Sequence, residues 1–340
     1  MAGFEQFMRT AALVGIALFS LLLLARCWWA WRSRGRRGGP GGLSPVLRVL
    51  QVLRMFALAL FAAGALAMLF VLQRGTMFMP IGLQGALAAL LLAWVVLEMI
   101  LAAWTPSPGN AWLRGAGNVG GLALGALGLL LVRGAVRAFA YPPVAESGVL
   151  ERVPFAGAWV AAGAGATGAT NHHDRIASQK YAADLAALCD DGRLFRGDGA
   201  KQEDSCTFGT AVLSPVEGEV VLAVDGHADG DSREVLPGNH VVIRIGEGRY
   251  VALAHFRRGS VRVREGDRVR AGQPLAEAGN SGNSDFPHLH IHVQDTPEYD
   301  IRASRALPWR FAGMERRRYL WWSRVEDGFL LSNDQVRPLR

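Results

Sequence analysis

The sequence predicts a multi-span α-helical membrane region followed by a mainly antiparallel β domain, a β sandwich or groove. Nearly all long apolar runs of this 340-residue chain fall before residue 141. The later sequence consists of short β-type runs between glycine-rich turns. We therefore expect about four membrane helices in residues 1–140, a β domain in residues 141–315 and a C-terminal hairpin or tail in residues 316–340.

Four apolar segments are candidate membrane spans. A helix needs about 20 apolar residues to cross a bilayer core about 30 Å thick. The second segment has an uncharged core and the third carries Glu98 as its only charge, whereas the fourth is short and rich in glycine. The four segments are residues 10–31, 54–73, 81–104 and 116–135.

Arginines between the first two segments and at their facing ends predict the orientation. They are Arg26, Arg32, Arg34, Arg36, Arg37, Arg48 and Arg54. The positive-inside rule makes this loop cytoplasmic, so four spans put the β domain outside the cytoplasm, whereas three would leave it inside. Tryptophan and arginine follow the first segment directly, where a signal peptide would carry a small-residue cleavage site, so we expect this segment to remain as an anchor.

The net charge of +7 comes from arginine, because Lys180 and Lys201 are the only lysines. No arginine-rich face with interleaved aromatic residues occurs in the β domain, so we expect a lipid bilayer and no nucleic acid as a partner. Cys189 and Cys206 form a disulfide if the domain is exported, or remain two separate buried thiols; the sequence leaves both alternatives open.

All eight histidines follow residue 170. Three of them alternate with apolar residues between Pro287 and Val293, which is the period of a β-strand. His288, His290 and His292 should therefore share one face, while Leu289, Ile291 and Val293 enter the core. Three imidazoles on one face are typical of a metal or acid–base site.

A catalytic zinc takes three protein ligands and keeps a fourth position for water. Two histidines of one strand therefore need a partner from elsewhere in the chain. The segment from Asn171 to Asp184 offers both an imidazole and a carboxylate, so it can complete such a site.

These residues, taken together with four further motifs, resemble the lysostaphin-type (LytM-like) zinc metallopeptidases, in a membrane-anchored variant. The resemblance covers roughly residues 165–312. It implies a β-rich groove, one Zn²⁺ per domain, and hydrolysis of the peptide part of bacterial peptidoglycan by metal-activated water. The bilayer would then be the bacterial inner membrane, with the domain facing the periplasm or cell exterior. The motifs are Asn171-His172-His173 with Tyr181-Ala182-Ala183-Asp184, Ala252-Leu253-Ala254-His255, residues 266–273, Gly279-Asn280-Ser281-Gly282 and Pro287-His288-Leu289-His290.

The resemblance also implies roles for individual residues. His173, Asp184 and His290 would hold the metal, and His255 and His288 would be the catalytic pair. The usual family spacing is His-x-x-x-Asp, but Lys180 stands four positions before Asp184. The first ligand must therefore be His172 or His173 across a longer insertion, and His173 is favoured because it is nearer.

Three further interpretations follow from the same residues. His292 occupies a position that is commonly a carboxylate or amide in the family, so it would support a ligand or face solvent. Degenerate relatives keep the fold but lose zinc ligands, and they bind cell wall and activate other hydrolases. This chain differs from them because every expected ligand type is present; a regulatory protein partner remains unidentified. A biotinyl- or lipoyl-type carrier is excluded, because residues 263–275 lack the lysine that such a carrier modifies.

Overall fold

The computed structural model describes residues 2–33, 45–71, 81–104, 111–232 and 234–339. Most of the arginine-rich loop that predicts orientation, residues 34–44, lies outside these ranges. The N-terminal part forms four helices in the described ranges: α1 (Ala2–Ser33), α2 (Pro45–Phe70), α3 (Ile81–Trp104) and α4 (Ala111–Ala138).

Three of these helices contain a stretch that is long and apolar enough to cross a membrane, as far as the described residues extend. The stretches are Gln6–Ala25, Val52–Phe70 and Val119–Ala138. Helix α3 carries a shorter apolar stretch, Gly82–Glu98. The glycine-rich fourth segment thus qualifies because its helix continues to Ala138. The shorter stretch in α3 is that of its described side chains, and the helix itself is 24 residues long.

Glycines let helices α2 and α4 pack closely. A Cβ on Gly125 would lie 2.7 Å from the Cβ of Ala57, and one on Gly64 would lie 2.7 Å from the backbone of Gly128. Small residues at such contacts are typical of helix packing inside membranes. The glycines that interrupt the apolar run of α4 therefore allow this helix to pack closely against α2.

The remainder of the described chain forms sixteen strands. They are β1 (Gly148–Leu150), β2 (Trp159–Gly163), β3 (Ala183–Ala187), β4 (Ala211–Leu213), β5 (Gly218–Val224), β6 (Gly230–Asp231), β7 (Asn239–Gly246), β8 (Arg249–Phe256), β9 (Arg268–Val269), β10 (Pro274–Glu277), β11 (Ser281–Gly282), β12 (Leu289–Gln294), β13 (Ala306–Leu307), β14 (Trp309–Arg317), β15 (Ser323–Gly328) and β16 (Gln335–Arg337).

Twelve of these described strands form one sheet in the order β1-β14-β16-β2-β3-β12-β8-β7-β5-β9, with β13 on β12 and β15 on β14. The strand pairs of this sheet are antiparallel except β1 with β14. The predicted fold class is therefore confirmed: apolar helices precede a mainly antiparallel β domain. The histidine-rich strand β12 lies in the middle, between β3 and β8.

The hydrophobic core lies on one face of this sheet. Leu253 and Ile291 of the sheet belong to the same buried cluster as Val212 and Leu275, which come from the separate β4–β10 pair. The alternation predicted for β12 is confirmed, since Leu289, Ile291 and Val293 all enter this cluster. The histidines between them face the other way.

The C-terminal residues join the same sheet. Residue 315 lies inside β14, β15 forms a hairpin with β14, and β16 pairs with both β14 and β2. The structure also links Cys189 and Cys206 in a disulfide with a Cα–Cα distance of 5.5 Å. Of the two alternatives for these cysteines, the structure has the paired one.

Candidate metal centre

Asp184 and His290 face each other across neighbouring strands. They are register partners on β3 and β12, and His290 Nδ1 lies 2.9 Å from Asp184 Oδ1. Burial acts to raise the pKa of Asp184, but His173 and His288 outweigh it and hold that pKa well below its usual value. The buried carboxylate is therefore ionised at neutral pH.

His172 and His173 approach the other oxygen of the same carboxylate. Their Nε2 atoms lie 3.3 Å and 2.9 Å from Asp184 Oδ2, and their ligand atoms and the carboxylate lie within 4.8 Å of one another. The His172 side chain is 51% exposed and that of His173 only 10%. Despite the long insertion before Asp184, both candidate ligands, His172 and His173, therefore lie next to its carboxylate.

Asn171 holds this histidine pair against the sheet. Its Oδ1 accepts a hydrogen bond from the backbone N–H of His173, and its Nδ2 donates to the carbonyls of Gly165, Lys180 and Ala182. Asn171 is fully buried. One side chain therefore ties the turn at His172–Arg175 to the residues just before β3.

A chain of three polar side chains orients His290. The Gln294 amide donates to the carbonyls of Thr296 and Glu298, so its Oε1 accepts from His292 Nε2 at 2.8 Å. Burial lowers the pKa of His290 to about 3 and that of His292 to about 4, so both rings are neutral at pH 7. His292 Nδ1 must then accept the proton of His290 Nε2, 3.0 Å away.

The direction of these hydrogen bonds is compatible with a cation bound at His290. It leaves the lone pair of His290 Nδ1 directed at the ionised carboxylate of Asp184, and two electron-pair donors face each other most favourably with a positive ion between them. Imidazole nitrogen and carboxylate oxygen are donors that Zn²⁺ prefers. The residues present therefore fit a zinc site formed by His290 Nδ1, Asp184 and a histidine of the 172–173 pair.

His255 reaches the histidine face through a β-bulge. The register of β7 with β8 shifts between Asn239 and His240, and His255 has φ 66° in the left-handed region. A regular strand would direct His255 to the same face as Leu253, into the core. The bulge instead places its ring 4.7 Å from that of His288. Such a backbone conformation costs about 1–3 kcal/mol outside glycine, which the surrounding fold must offset.

His255 and His288 are held in the same way. His255 Nδ1 donates to the carbonyl of Ser281, and His288 Nδ1 donates to that of Phe286, both at 2.8 Å. Each ring therefore leaves Nε2 as the free acceptor when it is neutral. Burial lowers the pKa of His255 well below its usual value. His288 Nε2 lies 3.5 Å from Asp184 Oδ1.

Residues 204–300 match the model of peptidase family M23. Part of the β domain is thus similar to this family, and the β domain as a whole, residues 141–340, is called the M23 domain below. The matched range includes His255, His288 and His290, whereas His173 and Asp184 precede it.

Several solved structures also resemble the M23 domain. A putative peptidase M23 from Pseudomonas aeruginosa is 23% identical, with 33% of this chain and 36% of that chain covered and a TM-score of 0.23. The catalytic domain of lysostaphin from Staphylococcus simulans is 26% identical over 29% of this chain and 68% of that chain, with a TM-score of 0.23. A zinc-containing peptidase from Vibrio cholerae is 21% identical over 33% of this chain and 43% of that chain, with a TM-score of 0.21. The match to the Pseudomonas protein thus spans about a third of the length of either chain.

The structure brings the five residues predicted from sequence into one cluster in the M23 domain, namely His173, Asp184, His255, His288 and His290. It adds a role for Asn171, which the sequence named only as part of a motif, and it adds Gln294, which the sequence analysis missed. Gln294 has the same strand parity as the three alternating histidines, so the period of two could have identified it. His240 is buried nearby on β7, where its Nδ1 is bonded to the carbonyl of Gly238 and its ring lies 5.3 Å from that of Tyr299, a neighbour of His292.

Zinc affinity can show which histidine of the first motif, His172 or His173, is the metal ligand. Loss of a residue that only supports a ligand typically weakens metal binding by about 10- to 100-fold. We expect His173→Ala to weaken zinc binding by more than this. His172→Ala should weaken it less, because this ring is half exposed. Competition with a chromogenic chelator on the full chain measures both variants. The reverse ranking would assign the ligand to His172.

His292 offers a second affinity test. His292→Leu should weaken zinc binding by about 10- to 100-fold, because His290 Nε2 loses its acceptor and the ring loses its fixed orientation. His292→Gln should recover most of the affinity, since its amide can accept from His290 and donate to Gln294. Near-ultraviolet circular dichroism checks that both variants fold. Equal affinity in the two variants would contradict the proposed orientation of His290.

Proposed function

We propose that this protein is a zinc-dependent endopeptidase that hydrolyses peptide bonds in bacterial peptidoglycan. The observation that carries the proposal is the cluster around Asp184, in which one ionised carboxylate meets imidazoles from two directions inside an M23 domain. Zinc, when bound, supplies Lewis-acid activation of water and of the scissile carbonyl.

In this proposal the residues of the cluster have three separate roles. His173, Asp184 and His290 hold the ion. His255 presents a neutral Nε2 that can take the proton of the attacking water. His288 lies beside it and, when protonated, can donate from Nε2 to the oxyanion that develops on the scissile carbonyl.

We further propose that the M23 domain lies outside the cytoplasm, on a multi-pass anchor in the bacterial inner membrane. The arginines near the loop between α1 and α2 favour a cytoplasmic position for that loop, and crossings by all four helices, α1 to α4, then lead the chain out of the cytoplasm. The Cys189–Cys206 disulfide supports an oxidising compartment, because cytosolic thiols are kept reduced. Protease added to spheroplasts should therefore digest the domain, and full protection would contradict this placement.

The function is tested on the full chain in lipid nanodiscs. Bound zinc is measured by elemental mass spectrometry, and purified peptidoglycan is assayed for release of soluble fragments with chelator, without it and after zinc is restored. We expect about one zinc per chain and hydrolysis that chelator abolishes and zinc restores. Zinc without hydrolysis would favour a silent cell-wall-binding module that activates other enzymes. A chain that binds no zinc would overturn the metal site.

A further inference from the structure

The turn between β14 and β15 exposes large apolar side chains. Tyr319 is 41% exposed, Leu320 49% and Trp321 67%, three consecutive residues at the tip of one hairpin. Large apolar side chains that are exposed next to one another mark surfaces that bind a protein or a membrane. Tryptophan and tyrosine are enriched where protein meets the interface between membrane and water.

Arginines surround this tip. The guanidinium groups of Arg317 and Arg337 lie 5.1 Å and 4.3 Å from the ring centre of Trp322, and the Arg324 side chain is 69% exposed. Arginine combines an apolar stem with a charged end that binds phosphate. Arg337 also pairs with Glu315, and Arg324 lies 4.0 Å from Glu326. Aromatic and aliphatic side chains flanked by arginine complement the acyl chains and anionic headgroups of a bilayer.

The base of the hairpin contacts the segment that follows α4. The Arg318 guanidinium lies 5.3 Å from the ring centre of Phe139, which is the residue after the candidate span Val119–Ala138. The Tyr141 ring stacks on Phe329 at 4.5 Å. Trp321 is three residues beyond Arg318, a reach of about 10 Å at most. Chain connectivity therefore keeps the tip near the point where α4 would leave the membrane.

We propose that the hairpin tip, residues 319–322, inserts into the headgroup region of the bilayer that α4 crosses. This insertion gives the M23 domain a second attachment to the membrane, in addition to its covalent link to α4 through residues 139–141. This inference rests on the membrane placement of α4 proposed above and does not depend on hydrolysis.

Photocrosslinking of the full chain tests the insertion. The photoreactive amino acid p-benzoylphenylalanine replaces Trp321 in one variant and Arg264 in a control, whose side chain is 90% exposed on another turn of the domain. Both are irradiated in nanodiscs that contain alkyne-tagged phosphatidylglycerol. We expect a lipid adduct at position 321 and none at position 264. Adducts at both positions, or at neither, would overturn the proposal.

A second measurement avoids the crosslinker. Subtracting the emission of Trp321→Phe from that of the unmodified chain isolates the fluorescence of Trp321. Brominated lipids should quench this fluorescence, and unbrominated lipids should not.

Irradiation of the photoreactive variant in intact cells tests other occupants of the tip. Adducts of position 321 only with protein or peptidoglycan would assign the tip to those partners. An Asp184→Asn chain, silent in the hydrolysis assay, should give the same lipid adduct, so failure of catalysis and failure of insertion are distinguishable.

Discussion

Asp184→Asn should abolish zinc binding and peptidoglycan hydrolysis together. The amide has nearly the volume of the carboxylate but lacks the negative charge on which His173 and His290 converge at 2.9 Å. A residue that merely supports a ligand affects affinity by about 10- to 100-fold, so loss of a charged ligand should exceed this range. Zinc content and chelator competition measure binding, and fragment release from purified peptidoglycan measures activity.

The matched control for this substitution is Asp190→Asn. Asp190 follows the same strand, β3, but its side chain is exposed. It should keep full zinc content and full hydrolysis. An Asp184→Asn chain that retains zinc with unchanged affinity would remove the carboxylate from the metal site.

His255→Asn should separate zinc binding from hydrolysis. Asparagine tolerates the left-handed backbone of this position better than most residues, so the bulge can persist. It cannot take a proton from water, and loss of a general base typically costs a factor of about 10² to 10⁴ in rate. We therefore expect zinc content near that of the unmodified chain and kcat reduced within this range.

The control for this prediction is His227→Asn, a histidine of the same domain that lies outside the cluster around Asp184. It should leave both zinc and kcat unchanged. If His255→Asn lost its zinc as well, His255 would belong to the metal-binding set. If kcat fell less than tenfold, another group would act as the base.

Local patterns in the sequence determined much of this protein. Apolar runs long enough to span a bilayer specify helices wherever they occur, because no other structure satisfies the backbone in lipid. The alternation of residues 287–293 likewise determined which side chains of β12 enter the core. The proximity of Asp184 to His290 was implied by the family resemblance, and the structure has them as register partners.

Other features depended on contacts between distant parts of the chain. The pairing of Cys189 with Cys206, and of β16 with β2, requires approaches that no local period encodes. His255 reaches the histidine face only because β7 and β8 pair with a bulge, whereas its strand period alone assigns it to the core.

The hydrogen-bond chain from Gln294 through His292 to His290 is the clearest case. The sequence determined that these side chains share a face of β12, because residues two apart on a strand point the same way. Only the tertiary structure decided which nitrogen of His290 is available for a metal. That choice depends on the carbonyls of Thr296 and Glu298, which fix the amide of Gln294, and on the burial that keeps both rings neutral.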